Sequence, residues 1–188
     1  MTPVSPLTAD AGKANLPLVS EGSIVVRIVI LGCAGSGKST LARRLAEQLR
    51  CPDICLDDIW QADWGPANVP MFRKLIGQAH AAETWVSDGN FAAATFDIRL
   101  PRATLIIWLE RSRLFCAWRA LLRVFAAKSG HRVRNLPRVL AFIWNFDAIN
   151  RPRIEALRIQ HGADVPVRHL SNDQGVEALL AELRAKSQ

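Results

Sequence analysis

The chain has 188 residues, 49% hydrophobic and 22% charged, which suits one compact domain with a sizeable core and excludes disordered or collagen-like chains. With 24 Lys and Arg against 17 Asp and Glu, the net charge of +7 selects anionic partners without choosing among nucleotides, nucleic acids and acidic surfaces. No run approaches the ~18 apolar residues of a membrane span, and no basic segment followed by an apolar one opens the chain, so the expectation is a cytoplasmic protein without membrane association.

Residues 1–21 mix Pro, Ser, Thr, Ala and Gly without periodicity and are expected to form a flexible extension ahead of a single domain over 22–188. Ile24 to Leu31 is an almost unbroken β-branched run closed by Gly32, the pattern of a central strand covered on both faces. From Ser39 to Leu49, Leu41, Leu45 and Leu49 recur at four-residue steps with Arg43, Arg44 and Glu47 turned elsewhere, which predicts an amphipathic helix. Strands are predicted at 53–57, 84–88, 104–109 and 165–170, and helices near 69–82, 111–127, 137–160 and 173–186. Pro152, which lacks a backbone donor, is expected to bend the helix over 137–160. The alternation is that of an α/β fold with a parallel sheet. Cys33, Cys51, Cys55 and Cys116 show neither CxxC spacing nor a histidine pair to complete a tetrahedral metal site, and His131 and His161 stand alone, so the thiols read as reduced.

Gly32-Cys33-Ala34-Gly35-Ser36-Gly37-Lys38-Ser39 fits G-x-x-x-x-G-K-[ST] in full, between the first strand and the first helix, where that pattern requires it. Glycines let the loop fold back so that its N–H groups converge on phosphate oxygens, and the helix N-terminus adds positive potential. In such a cradle Lys38 reaches the β/γ-phosphates, the Ser39 hydroxyl ligates Mg²⁺ and Thr40 bonds the α-phosphate, which implies ATP with Mg²⁺.

Ligands of open α/β sheets bind beyond the carboxyl ends of the strands, so acids placed there carry weight. Asp88, ahead of Gly89 and Asn90, is the expected metal-side acid; the other reading is an Asp that caps its own turn. Glu110, after Leu105–Leu109, competes for the metal or caps the next helix. Asp57, at the predicted end of the second strand, suits a carboxylate that orients an acceptor hydroxyl and takes its proton; Asp58 could substitute, and a solvated loop acid is the plain alternative. Trp60 and Trp64 can stack on a base or sugar, but core packing is the expected use.

Between Arg99 and Arg138 stand ten Lys or Arg residues and one acid, Glu110. On the helix over 111–127, Leu114, Trp118, Leu121, Leu122 and Phe125 form one apolar stripe, with Arg119 and Arg123 on the opposite face as a clamp for a transferring phosphoryl group. Lys128 to Asn135 is short, polar and glycine-containing, the composition of a basic lid over about 124–137. A solvated basic face is the plain alternative; nucleic-acid phosphates are a further one, which a lack of evident aromatic interleaving disfavours.

With these residues in view, the chain resembles the small bacterial P-loop proteins called topology modulation proteins (FlaR-like), which in turn look like adenylate kinases and other nucleoside and nucleotide kinases. The phrases that carry the resemblance are GCAGSGKSTLARRLAE, LDDIWQADW, WVSDGNF and FIWNF, and it runs from about Arg27 to Leu183. It implies a P-loop NTPase fold of nucleotide-kinase type with a five-stranded parallel sheet, ATP and Mg²⁺ binding, and a lid. Asp88-Gly89-Asn90 stands where adenylate kinases have Asp-Gly-Phe-Pro-Arg, so the nucleotide-gripping arginine is missing, with Arg99 a candidate to replace it. The expected activity is phosphoryl transfer from ATP to a small nucleotide, nucleoside or hydroxyl-bearing metabolite by a monomer or dimer. The alternatives are a nucleotide-gated regulator or DNA-associated ATPase, and an ATP-binding protein without transfer.

Overall fold

The computed structural model describes residues 25–61, 63–126 and 130–186, without the side chains of 125–135 and 186. The expected extension over 1–21 and, within the lid expected over about 124–137, the side chains of 125–135 lie outside the described residues. The elements are β1 (Arg27–Gly32), α1 (Lys38–Leu49), β2 (Asp53–Cys55), α2 (Leu56–Ile59), α3 (Val69–Ala79), β3 (Trp85–Asp88), α4 (Ala92–Arg99), β4 (Leu105–Leu109), α5 (Arg113–Ala126), α6 (Gly130–Asn145), α7 (Arg151–Gly162), β5 (Val167–Leu170) and α8 (Asp173–Lys186).

The five strands form one parallel sheet in the order β2-β3-β1-β4-β5. Alternation along β1 explains its unbroken apolar run: Ile28 and Ile30 meet α1 and α8 on one face, while Val29 and Leu31 meet the layer built from α3 to α7 on the other. All four side chains are fully buried, each removing about 2 kcal/mol worth of apolar surface from water. Register then places the chemistry. Ile30 and Cys55 both pair with Asp88, and Gly32 pairs with Leu109, so the phosphate loop and the acid of β3 leave the sheet side by side. No helix among the described residues is long and apolar enough to cross a membrane.

Several expectations change. β2 stops at Cys55, and Asp57 lies not on a strand but on the short helix α2. The helix expected over 137–160 begins at Gly130, carries Pro137 inside it, opens into a π-turn at Phe146–Asn150 and resumes as α7. Pro152, in the first turn of α7, directly follows the π-turn, where the i→i−4 ladder is already interrupted. Of the apolar stripe on α5, Leu114, Trp118 and Leu122 point outward, 75%, 60% and 46% exposed, and the side chain of Phe125 lies outside the described residues. The buried face of α5 carries Cys116 and Ala120 instead. A Cβ on Gly35 would stand 2.4 Å from the Cys116 carbonyl oxygen, so α5 lies flush on the phosphate loop and only small side chains fit beneath it.

His80, fully buried at the end of α3, donates from Nδ1 to the Ile76 carbonyl (2.7 Å) and stands edge-on to Trp85 at 4.6 Å. Burial holds its pKa down at about 4, so the native state keeps it neutral while the unfolded chain titrates near the usual ~6.5. Between those values the unfolded state binds the extra proton, so stability is full above the unfolded pKa and falls with pH through the window. Denaturant titrations at pH 7 and pH 4 are expected to differ by about 3 kcal/mol from this group alone, a difference that His80→Gln removes.

Candidate functional site

The loop from Gly32 to Lys38 turns through three glycines with positive φ: Gly32 at 146°, Gly35 at 84° and Gly37 at 102°. Gly35 is the most constrained, because φ excludes most side chains and the Cys116 carbonyl excludes any Cβ. Lys38, the first residue of α1, donates from Nζ to the carbonyls of Gly32 (3.1 Å) and Cys33 (3.0 Å). Burial pulls its pKa down, against the opposing fields of Asp88 and Asp57. An ammonium so held is a desolvated charge with loop carbonyls for partners and no carboxylate in contact.

Ser39 Oγ donates to Asp88 Oδ2 at 2.6 Å. The other oxygen of this 1% exposed carboxylate, Oδ1, has no hydrogen-bond partner, and neither does the buried Ser36 hydroxyl beneath the loop. A buried anion with an unused lone-pair face is costly unless it meets a cation. The hydroxyl–carboxylate pair therefore fits the hard oxygen ligation of Mg²⁺. Among the described residues no cluster of three or more His, Cys, Asp or Glu side chains suits another kind of metal centre.

The turn after β3 is tied to the loop by its own residues. The Asn90 side chain accepts from the Gly32 N–H (3.3 Å) and donates to the Gly32 carbonyl (3.0 Å). Arg99, fully buried on α4, donates to the carbonyls of Gly89 (3.0 Å) and Asn90 (3.1 Å), to Ser87 Oγ (3.3 Å) and to Thr95 Oγ1 (3.0 Å). It is therefore a brace for the turn and is not open to grip a nucleotide. Sequence reasoning had no access to the Asn90 clamp, since Asp-Gly-Asn reads as a turn whatever its side chains hold.

Asp57 faces the loop from α2. It lines a cavity of about 500 Å³ with Lys38, Ser39, Asn90, Phe91, Arg119 and Arg123, closed on one side by Phe142 of α6. Burial pushes its pKa up, against the lowering field of Lys38. A second cavity of about 510 Å³ shares Ser39, Arg43, Asp57 and Arg123 and continues past Asp53, Cys55 and Asp58 to Val124 and Val139. Arg119 reaches the loop: its Nη1 is 3.6 Å from where a Cβ on Gly37 would be. The larger groove of about 830 Å³ between α1 and α8 contains none of the candidate residues.

Glu110 lies apart from this cavity. It takes hydrogen bonds from Arg151 and from His169 Nδ1 (3.1 Å), so it belongs to the α7–β5 side. Trp60 packs edge-on to Trp64 (5.7 Å) and Phe72 (5.1 Å) and lies 5.9 Å from Phe91, so these rings support α2 and α3 against the second core layer.

A family model, the viral superfamily 1 RNA helicase core domain, matches residues 28–88, the stretch from β1 through the phosphate loop to Asp88. No curated protein matches the chain. Among solved structures, shikimate kinase from Acinetobacter baumannii in complex with shikimate aligns with TM-score 0.57 and 16% identity over 87% of this chain and 96% of that one. A putative kinase from Chloroflexus aurantiacus aligns with TM-score 0.53 and 17% identity over 86% and 98%. A gluconokinase from Sinorhizobium meliloti aligns with TM-score 0.50 and 18% identity over 87% and 98%. What the chain has in common with these three is the fold: a five-stranded parallel sheet flanked by helices, in the architecture of P-loop kinases.

Proposed function

We propose that the chain is an ATP- and Mg²⁺-dependent phosphotransferase whose acceptor is a small hydroxyl-bearing metabolite, nucleoside or nucleotide. The observation that carries the reading is one cavity walled by the phosphate loop and Lys38 on one side and by Asp57 on the other, with Ser39 on Asp88 at its floor. The phosphate loop alone would suit any nucleotide hydrolase. A carboxylate across the cavity from it, on α2 and within the field of Lys38, suits transfer to a second substrate. The topology modulation proteins, with the phrases quoted above, are the finer family assignment that this reading favours.

In this mechanism the loop amides hold the triphosphate, and Lys38 exchanges its loop carbonyls for the β/γ-phosphate oxygens. Ser39 and Asp88 would hold Mg²⁺, which when bound neutralises charge on the phosphate oxygens. Asp57 accepts the proton of the acceptor hydroxyl as that oxygen bonds to the γ-phosphorus and the bond to the departing bridging oxygen breaks. Arg119 and Arg123 meet the charge on the transferring group. Asn90 and Arg99 act through position, holding β3's end against Gly32.

The test supplies γ-labelled ATP, Mg²⁺ and a metabolite pool to the purified chain and follows the label. Its expected destination is a single small-molecule fraction. ATP binding with label released only as inorganic phosphate, whatever the pool, would overturn the reading in favour of a hydrolase.

A further inference from the structure

The cavity that holds Lys38 and Asp57 has two aromatic lining residues to which phosphoryl transfer itself gives no role, Phe91 and Phe142. They reach it from different elements, Phe91 from the N-cap of α4 and Phe142 from the C-terminal half of α6. Phe91 belongs to the wall that carries Asp57: the ring of Trp60, directly after α2, stands 5.9 Å from it, and the Phe72 ring of α3 stands 5.0 Å from it. The Phe91 backbone takes φ 20° and ψ 39°, which a bulky residue rarely adopts, and its carbonyl accepts from the Ala94 N–H (3.1 Å) and from Thr95 Oγ1 (2.9 Å). A ring is thus kept at the cavity in a position where glycine would be unstrained. Phe142 packs on Phe146 at 5.6 Å and stays 36% exposed, ring surface that the fold leaves uncovered. Free polar groups on the wall of Asp57 are few. Both ends of the Asn90 amide are engaged by Gly32, and the carbonyls of Gly89 and Asn90 receive Arg99. Asp57 is left to meet one hydroxyl, and the further hydroxyls of a polyol would lie against rings without partners, which is costly.

We propose that the acceptor is an alcohol carrying a flat aromatic or heteroaromatic ring, the ring set against Phe91 and Phe142 and the hydroxyl at Asp57. The proposal rests on the phosphotransferase reading and narrows it: nucleosides and arylmethyl alcohols fit, and sugars or polyols without such a ring do not. An aromatic side chain holds a planar ring by its face or edge, and every nucleobase offers a π-face to it. The hydroxyl oxygen of the ring-bearing alcohol gains the γ-phosphoryl group, Asp57 takes the proton, and ADP leaves. Because the rings act on binding and the carboxylate on the proton, their removal separates in the kinetics: loss of a ring raises the acceptor KM, and loss of the base lowers kcat.

The experiment offers the full chain γ-labelled ATP, Mg²⁺ and, in parallel, purine and pyrimidine nucleosides, benzyl alcohol, and ribose, which has the hydroxyls of a nucleoside sugar without its base. Transfer to a ring-bearing alcohol with kcat/KM at least ~10-fold above that for ribose is expected. Label in nucleosides alone names base-bearing sugars as the source, and label in benzyl alcohol too extends it to aryl alcohols; either supports the proposal. Phe142→Ala should raise the acceptor KM about 10-fold or more with the ATP KM within ~2-fold, and Phe142→Tyr, which keeps a ring, should restore it. Phe91→Leu repeats the test from the other wall while keeping bulk against Trp60 and Phe72. Trp144→Ala, exposed and outside the cavity, should move neither KM. Ribose used as well as nucleosides, an acceptor KM unchanged in both phenylalanine variants, or a rise in the ATP KM alone, which would give the rings to ATP's own base, would overturn the proposal. Label released only as inorganic phosphate would overturn the transfer reading by itself, and quenching of tryptophan fluorescence by nucleosides then decides the ring site. Quenching that needs ~10-fold more nucleoside in Phe142→Ala keeps the site; no quenching, or the same curve in both proteins, removes it.

Discussion

Replacing Lys38 with Ala should lower kcat/KM for phosphoryl transfer by about 10³-fold or more, while the nucleotide-free protein melts no lower than the parent. The two halves have one cause. Lys38 is a half-buried cation whose pKa is pulled down by desolvation, and without ligand the loop carbonyls of Gly32 and Cys33 are bonded to it. The folded chain therefore holds this charge at some cost in hydration, and deleting it removes that cost. The function loses what the fold gains: among the described residues no other ammonium lines the cavity, and a 10³-fold loss corresponds to about 4 kcal/mol of transition-state stabilisation. Lys38→Arg should not restore transfer, since a planar fork cannot occupy the site of a compact ammonium. Steady-state kinetics with the identified acceptor, beside melting curves with and without ATP and Mg²⁺, would check both halves. A variant that melts lower and transfers normally would make Lys38 a structural residue.

What could be read in the residues alone follows from how local each signal is. The phosphate loop was legible because its function sits in backbone turns that only glycine permits and in two adjacent polar residues, Lys38 and Ser39. The sheet was legible because a strand covered on both faces must be apolar throughout, as β1 and β4 are. The pairing of Ser39 with Asp88 was half legible: β3 was seen to end in an acid, but the register that sets Asp88 beside Ile30 joins residues 58 positions apart. α4 was not foreseen, since Ala92 to Arg99 has only a weak apolar face and is helical because it packs between α3 and α7. On α5 the periodicity marked a helix but did not say which face is buried. The side that carries Leu114, Trp118 and Leu122 is the more apolar, yet the close approach to Gly35 admits only Cys116 and Ala120. Arg99 was misjudged for a related reason: an arginine in a charged segment reads as solvent-facing, and only the fold shows four acceptors around a buried guanidinium.

Asp57→Asn should reduce kcat by 10²–10⁴-fold, the usual range for loss of a general base, with KM for ATP little changed. The separation follows from where Asp57 stands. It is on α2, across the cavity from the loop, and makes no contact with Lys38 or Ser39 that ATP binding needs. Its environment also sets a pH signature. Burial raises the Asp57 pKa against the lowering field of Lys38, so the carboxylate stays protonated to a higher pH than an ordinary Asp near ~3.9. A base must be ionised to accept a proton. Turnover is therefore expected to fall as pH drops through that raised pKa, and Asp57→Asn, with nothing to titrate there, should show a low rate without this acid limb. Asp58→Asn tests the substitution left open by the pair of acids: Asp58 is exposed and lines only the neighbouring cavity, so a loss under ~10-fold and an intact acid limb are expected. The pH–rate profiles of the three proteins thus separate a base from a binding group. A fall in kcat that keeps the acid limb would mean that another group takes the proton and that Asp57 only orients the acceptor. An unchanged kcat would take Asp57 out of the reaction altogether.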